Sequence, residues 1–286
     1  MEGMHHPAGF AEMWSPSVIV AVVLLGVLYF LAIGPWRTFF RDAEPVGIGR
    51  KLSFLAALLL YYVAQGSPLN YYGHNFMFSL HMLQMAIVYL LVPPLVLLGL
   101  PPWMLKPFLH NRRIKPWLKP LTHPLFSVML FNMLFSIYHL PLVLDTLFQV
   151  HWLHFVYHYL LLATAFHMWF PIFVPDPEYS RLSGLKKIGY IFADGVLLTP
   201  ACALIIFANK PLYAHYSSVP EAYTFLDALN DQQLGGVIMK IAQEFIYGIF
   251  LAYIFFQWYH MERKREEEEE RMESERMDAI LAHGGN

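Results

Sequence analysis

The residues in this 286-residue chain that could do chemistry are mainly imidazoles and thioethers: 14 histidines and 14 methionines beside a single cysteine, Cys202. His81 and Met85 are four apart, so on a helix both fall on one face. His151, His154 and His158 follow the i, i+3, i+7 spacing of another face. Imidazole with thioether, lacking thiolate and carboxylate, suits a soft ion such as Cu(I) better than magnesium or calcium. His81, Met85, His154 and His158 are therefore the first candidate ligands, with His74 and His139 beside them. Two histidines, His81 and His158, would equally serve as axial ligands of a haem. The plainer alternative is that histidines act as hydrogen-bond links and methionines as packing. One cysteine excludes a disulfide framework, a CxxC redox pair and a cysteine zinc site. Cys202 reads as a small packing residue.

A second set is ionic. Lys240 and Glu244 are four apart and form an expected internal ion pair, alternatively tuning a metal site or carrying protons. Asp194 has no partner nearby in sequence. No HExxH, GxSxG, Walker loop or GxGxxG occurs, so the chain is read as a non-enzyme. An intramembrane metal-dependent enzyme would need a carboxylate base beside the histidines, and Glu244 could serve only if its helix packs there. A transporter would show inverted repeats or broken helices, and neither is evident.

What must position these groups is a membrane bundle. Hydrophobic residues make up 57% of the chain and charged residues 14%, with a mean hydropathy of +0.43. Of the 40 charges, 14 fall in the last 26 residues. With the body near +2 and the tail near −4, there is no basic surface for nucleic acid. Crossing the hydrocarbon takes about 20 mostly apolar residues. Seven stretches qualify: 16–34, 51–66, 74–98, 123–140, 150–173, 187–207 and 233–259. The second should stop abruptly at Gln65-Gly66-Ser67-Pro68, and Pro93-Pro94 should kink or cut short the third.

The fold expected is all-α: a polytopic membrane protein of seven transmembrane helices in the cell membrane. A leader 1–15, a membrane domain 16–260 and a charged tail 261–286 divide it. Seventeen of the 19 basic residues fall on one side of these spans, which puts the amino end outside and the carboxyl end in the cytoplasm. The first span follows an acidic leader without a small-residue cleavage site and reads as an anchor. The tail, with its Glu266–Glu270 run, reads as a solvated helix or extension. Nine of the 14 histidines then lie outside or in the outer half of the membrane. His81 and His158 come at matched depth, roughly 12 Å in, and Lys240 near it. His74 falls at the outer mouth of the third helix and His139 at the outer end of the fourth. Met4, His5 and His6 with Met13 could form a copper-catching arm, though chance histidines in a terminus explain them as well.

Several segments together resemble a known family: His74–Met85, Val92-Pro93-Pro94-Leu95, Gly99–Trp103, Tyr138–Pro141, His158 with His167-Met168-Trp169, and Asp231–Met239. The resemblance is to the Gram-positive CtaG family, polytopic assembly factors for caa(3)-type cytochrome c oxidase, and covers roughly residues 50–260. It implies a non-enzymatic role in maturing the oxidase, with oxidase subunits and the lipid bilayer as partners. Extracytoplasmic copper chaperones are further expected partners. Copper on His81, Met85, His154 and His158 is an expectation added from the placement of those residues.

Overall fold

The computed structural model describes residues 9–283 except 114, 175, 177, 180 and 181. Met4, His5, His6 and Arg181 lie outside the described residues. Those described are all helix, turn and loop, with no strand among them.

Helix α1 (Pro16–Ile33) begins at a proline, whose missing N–H is harmless in a first turn. It turns most of its apolar surface, Val20, Val23, Leu24 and Val27 included, away from the protein. Helix α2 (Ile48–Gly66) does stop at Gly66, but the chain continues after a 42° bend into α3 (Pro68–Asn75). Ser67 makes the joint. Preceding a proline, it is pushed off helical angles, and its hydroxyl accepts from Leu69 N at 3.2 Å while donating to the Val63 carbonyl. His74 therefore sits on this bent extension of the second span and not at the mouth of the third helix, as the apolar run had placed it.

The third span is continuous over Phe78–Gly99: α4 (Phe78–Met85), a π-helical segment (Ala86–Leu91) and α5 (Val92–Gly99). Pro93-Pro94 neither ends nor shortens it. The wide turns just before the prolines absorb the missing amide donors. Short helices α6 (Pro102–Leu109) and α7 (Lys115–Leu121) lead to α8 (Pro124–Tyr138), which bends by 75° into α9 (Pro141–Gln149). His139 lies in that joint, fully buried, and not at an exposed helix end. Then follow α10 (His151–Phe173), α11 (Gly184–Ile206), the single turn α12 (Ala214–Ser217) and α13 (Ala228–His283). Among the described residues, five helical stretches are long and apolar enough to cross a membrane, and seven if each bent pair counts as one span. The polytopic reading stands.

Lipid tails are as apolar as leucine, so close packing and polar links, not water exclusion, must hold such helices together. Glycines supply the first. A Cβ on Gly235 would lie 2.6 Å from the Phe78 ring, and one on Gly99 would lie 2.7–2.9 Å from Cβ, Cα and N of Phe54. Hence α13 meets α4, and the end of α5 meets α2, nearly backbone to side chain. Tyr29 stacks on Phe54 with centroids 3.9 Å apart and donates its hydroxyl to the Gly99 carbonyl.

Polar links supply the second. Asp194, without a local partner in sequence, accepts from Asn132 of α8 and Tyr247 of α13, each at 2.5 Å. Asp231 on α13 accepts the Ser79 hydroxyl and, at 3.3 Å, its backbone N–H. It thereby caps the first turn of α4 from another helix, where free N–H groups and the helix dipole favour a carboxylate. Beyond Met261, α13 runs on without a break. Arg263–Glu267, Arg265–Glu269 and Arg271–Glu275 pairs at i, i+4 support it there.

Candidate functional site

At the end of the bundle where α1 begins, a cavity of about 290 Å³ opens between α3, α4, α8 and α10. Its wall includes His74, His81, Met85, His151, His154 and His158, with Met13 at its rim from the segment before α1. Five of the six histidine and methionine candidates from the sequence are thus brought to one place. His139 is not among them. Its Nδ1 donates to the Phe135 carbonyl at 2.8 Å, and its ring packs on Phe135 and Tyr138 behind the wall. Lys240 and Glu244 pair at 2.7 Å, with Thr199 accepting from Lys240 at 3.0 Å, but the Glu244 side chain is 64% exposed, so the pair lies on the outer face of the bundle and not inside it. Neither they nor Asp194 line the cavity. Met82, fully buried against Gly235, is a packing residue, and Met77 lines a different pocket.

Two tyrosines organise the imidazoles. The Tyr138 hydroxyl lies 3.0 Å from His81 Nε2 and 3.5 Å from His154 Nε2, bridging α4 and α10 through α8. Tyr89, on the π-helical segment, holds His158 Nδ1 at 2.6 Å. The other ring nitrogen of His158 faces the Gln65 amide nitrogen at 3.0 Å. An amide nitrogen only donates, so His158 Nε2 accepts and Nδ1 carries the proton that goes to Tyr89. Gln65 is oriented by Gln84, whose amide donates to it at 3.4 Å and to Asn70 at 2.7 Å. His158 therefore has no lone pair left over in this arrangement. His81 differs: Nδ1 is buried and has no hydrogen-bond partner. No ring contact joins His81 to His158 among the described residues, and no three His, Cys, Asp or Glu side chains there stand together as a ready metal group.

Sequence reasoning missed Tyr89, Tyr138, Gln65 and Gln84. Gln84 carries a signal, being a polar residue three after His81 on an apolar helix. His215, on α12, donates from Nε2 to the His74 carbonyl at 2.9 Å. Among the described residues the cavity lining contains no carboxylate and no thiol. Its donors are chiefly imidazoles, thioethers, phenols and amides, a set that suits a soft ion better than a hard divalent one.

The family model for the cytochrome c oxidase caa3 assembly factor (Caa3_CtaG) matches residues 27–261. The chain belongs to this family. The match covers every helix that lines the cavity, and a role in oxidase assembly is the family's described function. The chain is also similar to an uncharacterized protein of Mycobacterium leprae (strain TN), 28% identical over 273 residues. That alignment takes in 87% of this chain and 40% of the relative, so the chain spans about two-fifths of the relative's length. No solved structure matches. With its apolar helices, this CtaG-family chain is a multi-pass protein of the cell membrane.

Proposed function

We propose that this CtaG-family protein serves oxidase assembly by taking up Cu(I) in the histidine cavity and passing it to the oxidase subunit under construction. Copper is cargo in this reading, not a resident cofactor. One observation carries it: five imidazoles and two thioethers, from four separate parts of the fold, line a single cavity that holds no carboxylate among the described residues. Cu(I) accepts few, soft ligands and needs no anionic cage. His81 and His154, which share the Tyr138 hydroxyl, are the primary ligands, with Met85 on the turn after His81 in support.

Sidedness supports the same reading. Arg50 and Lys187 line a pocket at the opposite end of the bundle, by the ends of α5, α10 and the apolar part of α13. By the positive-inside rule that end faces the cytoplasm, and the cavity faces outward. Partners at that surface are the oxidase subunits and extracytoplasmic copper donors. A haem held between His81 and His158 is disfavoured by the two hydrogen bonds that occupy His158.

The test is Cu(I) titration of the reduced, purified full-length protein in nanodiscs against a chromophoric chelator. Stoichiometric Cu(I) lost in a His81→Gln, His154→Gln double variant is expected. A variant that retains full binding, or a wild type that binds none, overturns the copper reading. A Soret band in the wild type would restore the haem alternative.

A further inference from the structure

At the end of the bundle that its basic residues assign to the cytoplasm, a second cavity of about 540 Å³ opens between α2, α5, α10, α11 and α13. Two half-buried cations line it: Arg50, the third residue of α2, and Lys187, the fourth of α11. Arg50 Nη1 donates to the Leu98 and Leu100 carbonyls at 3.1 and 3.0 Å, and Lys187 donates to the Ile172 carbonyl at 2.7 Å. Each thus closes the end of a neighbouring helix, α5 or α10. Each also keeps donors in reserve: Nε and Nη2 of Arg50, and the remaining ammonium protons of Lys187. Neither makes an ion pair among the described residues. Asp176, the one carboxylate among the described lining residues, accepts from Glu178 N at 2.9 Å and lies 3.7 Å from His110 Nε2. Helices α2 and α11 begin here while α5 and α10 end here, so their terminal dipoles offset one another. The side chains then decide the charge, and two cations against one carboxylate leave the lining net positive.

We infer that this cavity holds the headgroup of an anionic phospholipid from the adjoining leaflet, with its phosphodiester received by Arg50 and Lys187. Phosphate oxygens match the fork of a guanidinium and the spare protons of an ammonium. The rest of the lining suits an amphiphile. Tyr253, Gln257 and Met261 recur every four residues along one exposed face of α13, so the cavity is open on its lipid side and not sealed within the bundle. The phenol and amide of that face are polar tips at headgroup level, where tyrosine is favoured. Leu97 and Phe173 add apolar wall for the first methylenes of an acyl chain. A soluble anion would meet the same two cations but leave that wall uncovered. Basic pockets between the cytoplasmic ends of transmembrane helices take acidic headgroups on these grounds. A zwitterionic lipid brings its own cation, which a net positive lining repels.

The inference does not depend on copper. Its test uses the full-length protein, purified and delipidated in detergent, with phosphatidylglycerol, phosphatidylcholine or inorganic phosphate added. Native mass spectrometry counts retained lipid, and the melting temperature reports stabilisation. Phosphatidylglycerol is expected to leave a retained adduct and raise the melting temperature, whereas phosphatidylcholine and inorganic phosphate do neither. Lys187→Gln keeps a donor for the Ile172 carbonyl and should weaken phosphatidylglycerol binding about fivefold. Asp176→Asn removes the opposing charge and should strengthen it by about the same factor. Lys186→Gln, at the exposed neighbouring position, should change nothing. Equal retention of the two lipids, or undiminished retention by a folded Lys187→Gln variant, overturns the inference. Stabilisation by inorganic phosphate that phosphatidylglycerol does not exceed also overturns it, in favour of a free-anion pocket. Should Lys187→Gln fail to fold, Asp176→Asn decides, and binding no tighter than wild type counts against the lipid.

Discussion

Replacing Asp231 by alanine should disturb the histidine cavity from a distance, because Asp231 fixes the helix turn on which His81 stands. Its carboxylate accepts the Ser79 hydroxyl and backbone N–H, and Ser79 lies two residues before His81. Hydrogen bonds to a charged acceptor contribute about 1.5–3 kcal/mol each, so losing both in a dry site would cost about 3–6 kcal/mol. The site is not wholly dry: Asp231 borders a pocket of about 90 Å³. That is room for water to replace part of the lost bonding, which lowers the expectation to about 2–4 kcal/mol. Asp231→Asn keeps one acceptor oxygen and should lose about half as much. Thermal unfolding in nanodiscs gives the stability, and hydrogen exchange over α4 locates the damage. Asp231→Ala should raise exchange at the first turn of α4 and weaken Cu(I) uptake while leaving α1 and α2 unaltered. An alanine variant within about 0.5 kcal/mol of wild type, or an asparagine variant as damaged as the alanine, would refute the capping argument.

Five further outcomes are expected. Gly99→Ala forces a methyl against Cβ, N and Cα of Phe54, 2.7–2.9 Å away, and should cost about 1–3 kcal/mol in melting experiments. Gly248→Ala meets nothing within 4 Å and should be neutral or stabilising by up to about 1 kcal/mol. Asp194→Ala strands the Asn132 amide and Tyr247 hydroxyl and should cost about 2–4 kcal/mol, whereas Asp194→Asn keeps an acceptor for Tyr247; equal melting of the two would argue against it. His158→Asn removes the bonds to Tyr89 and Gln65, so it should lose about 2–3 kcal/mol of stability while retaining more Cu(I) binding than His81→Gln. Finally, hydrogen bonds from the Asn230 backbone and side chain hold the Asp227 carboxyl below its ordinary value. A depressed folded-state value means that the cap's contribution is complete above the unfolded carboxylate range and is lost only as pH falls through the lower folded value. Exchange protection of the first turn of α13 should thus stay level from about pH 5 to 8 and drop only at more acid pH, with Asp227→Asn showing no such drop.

The membrane bundle was legible because hydrocarbon thickness imposes length on apolar runs, and those runs are plain in the residues. Its two bends were harder to read. Ser67-Pro68 announced a stop, yet whether the chain then leaves the bundle or folds over it depends on what α3 meets. The eight residues of α3 pack on α4, and this carries His74 to the cavity from the second span. Pro141 likewise opens a helix, α9, whose nine residues are too few to register as a span. The prolines at 93 and 94 misled in the opposite sense. A proline disrupts the hydrogen bond of an ordinary α turn, but the preceding segment is wound as π-helix, a choice made by packing and not by local residue preference.

The site was legible as a set of donors and illegible as a set of ligands, for a physical reason. Spacing and depth put His81, His154 and His158 in the same layer, and they do line one cavity. What an imidazole can then do depends on which nitrogen remains unengaged, and that is decided by residues far away in sequence. Tyr89 and Gln65 occupy both nitrogens of His158. Tyr138 takes one nitrogen of His81 and leaves the other with no partner. The histidine most conspicuous by depth is accordingly the one most fully committed to holding the wall together. His81, which shares its phenol with His154, is the one left with a nitrogen to offer. Among the described residues the cavity wall carries soft donors and no carboxylate. What it can offer a ligand is therefore set by the phenols and amides that engage one imidazole nitrogen and leave another unengaged.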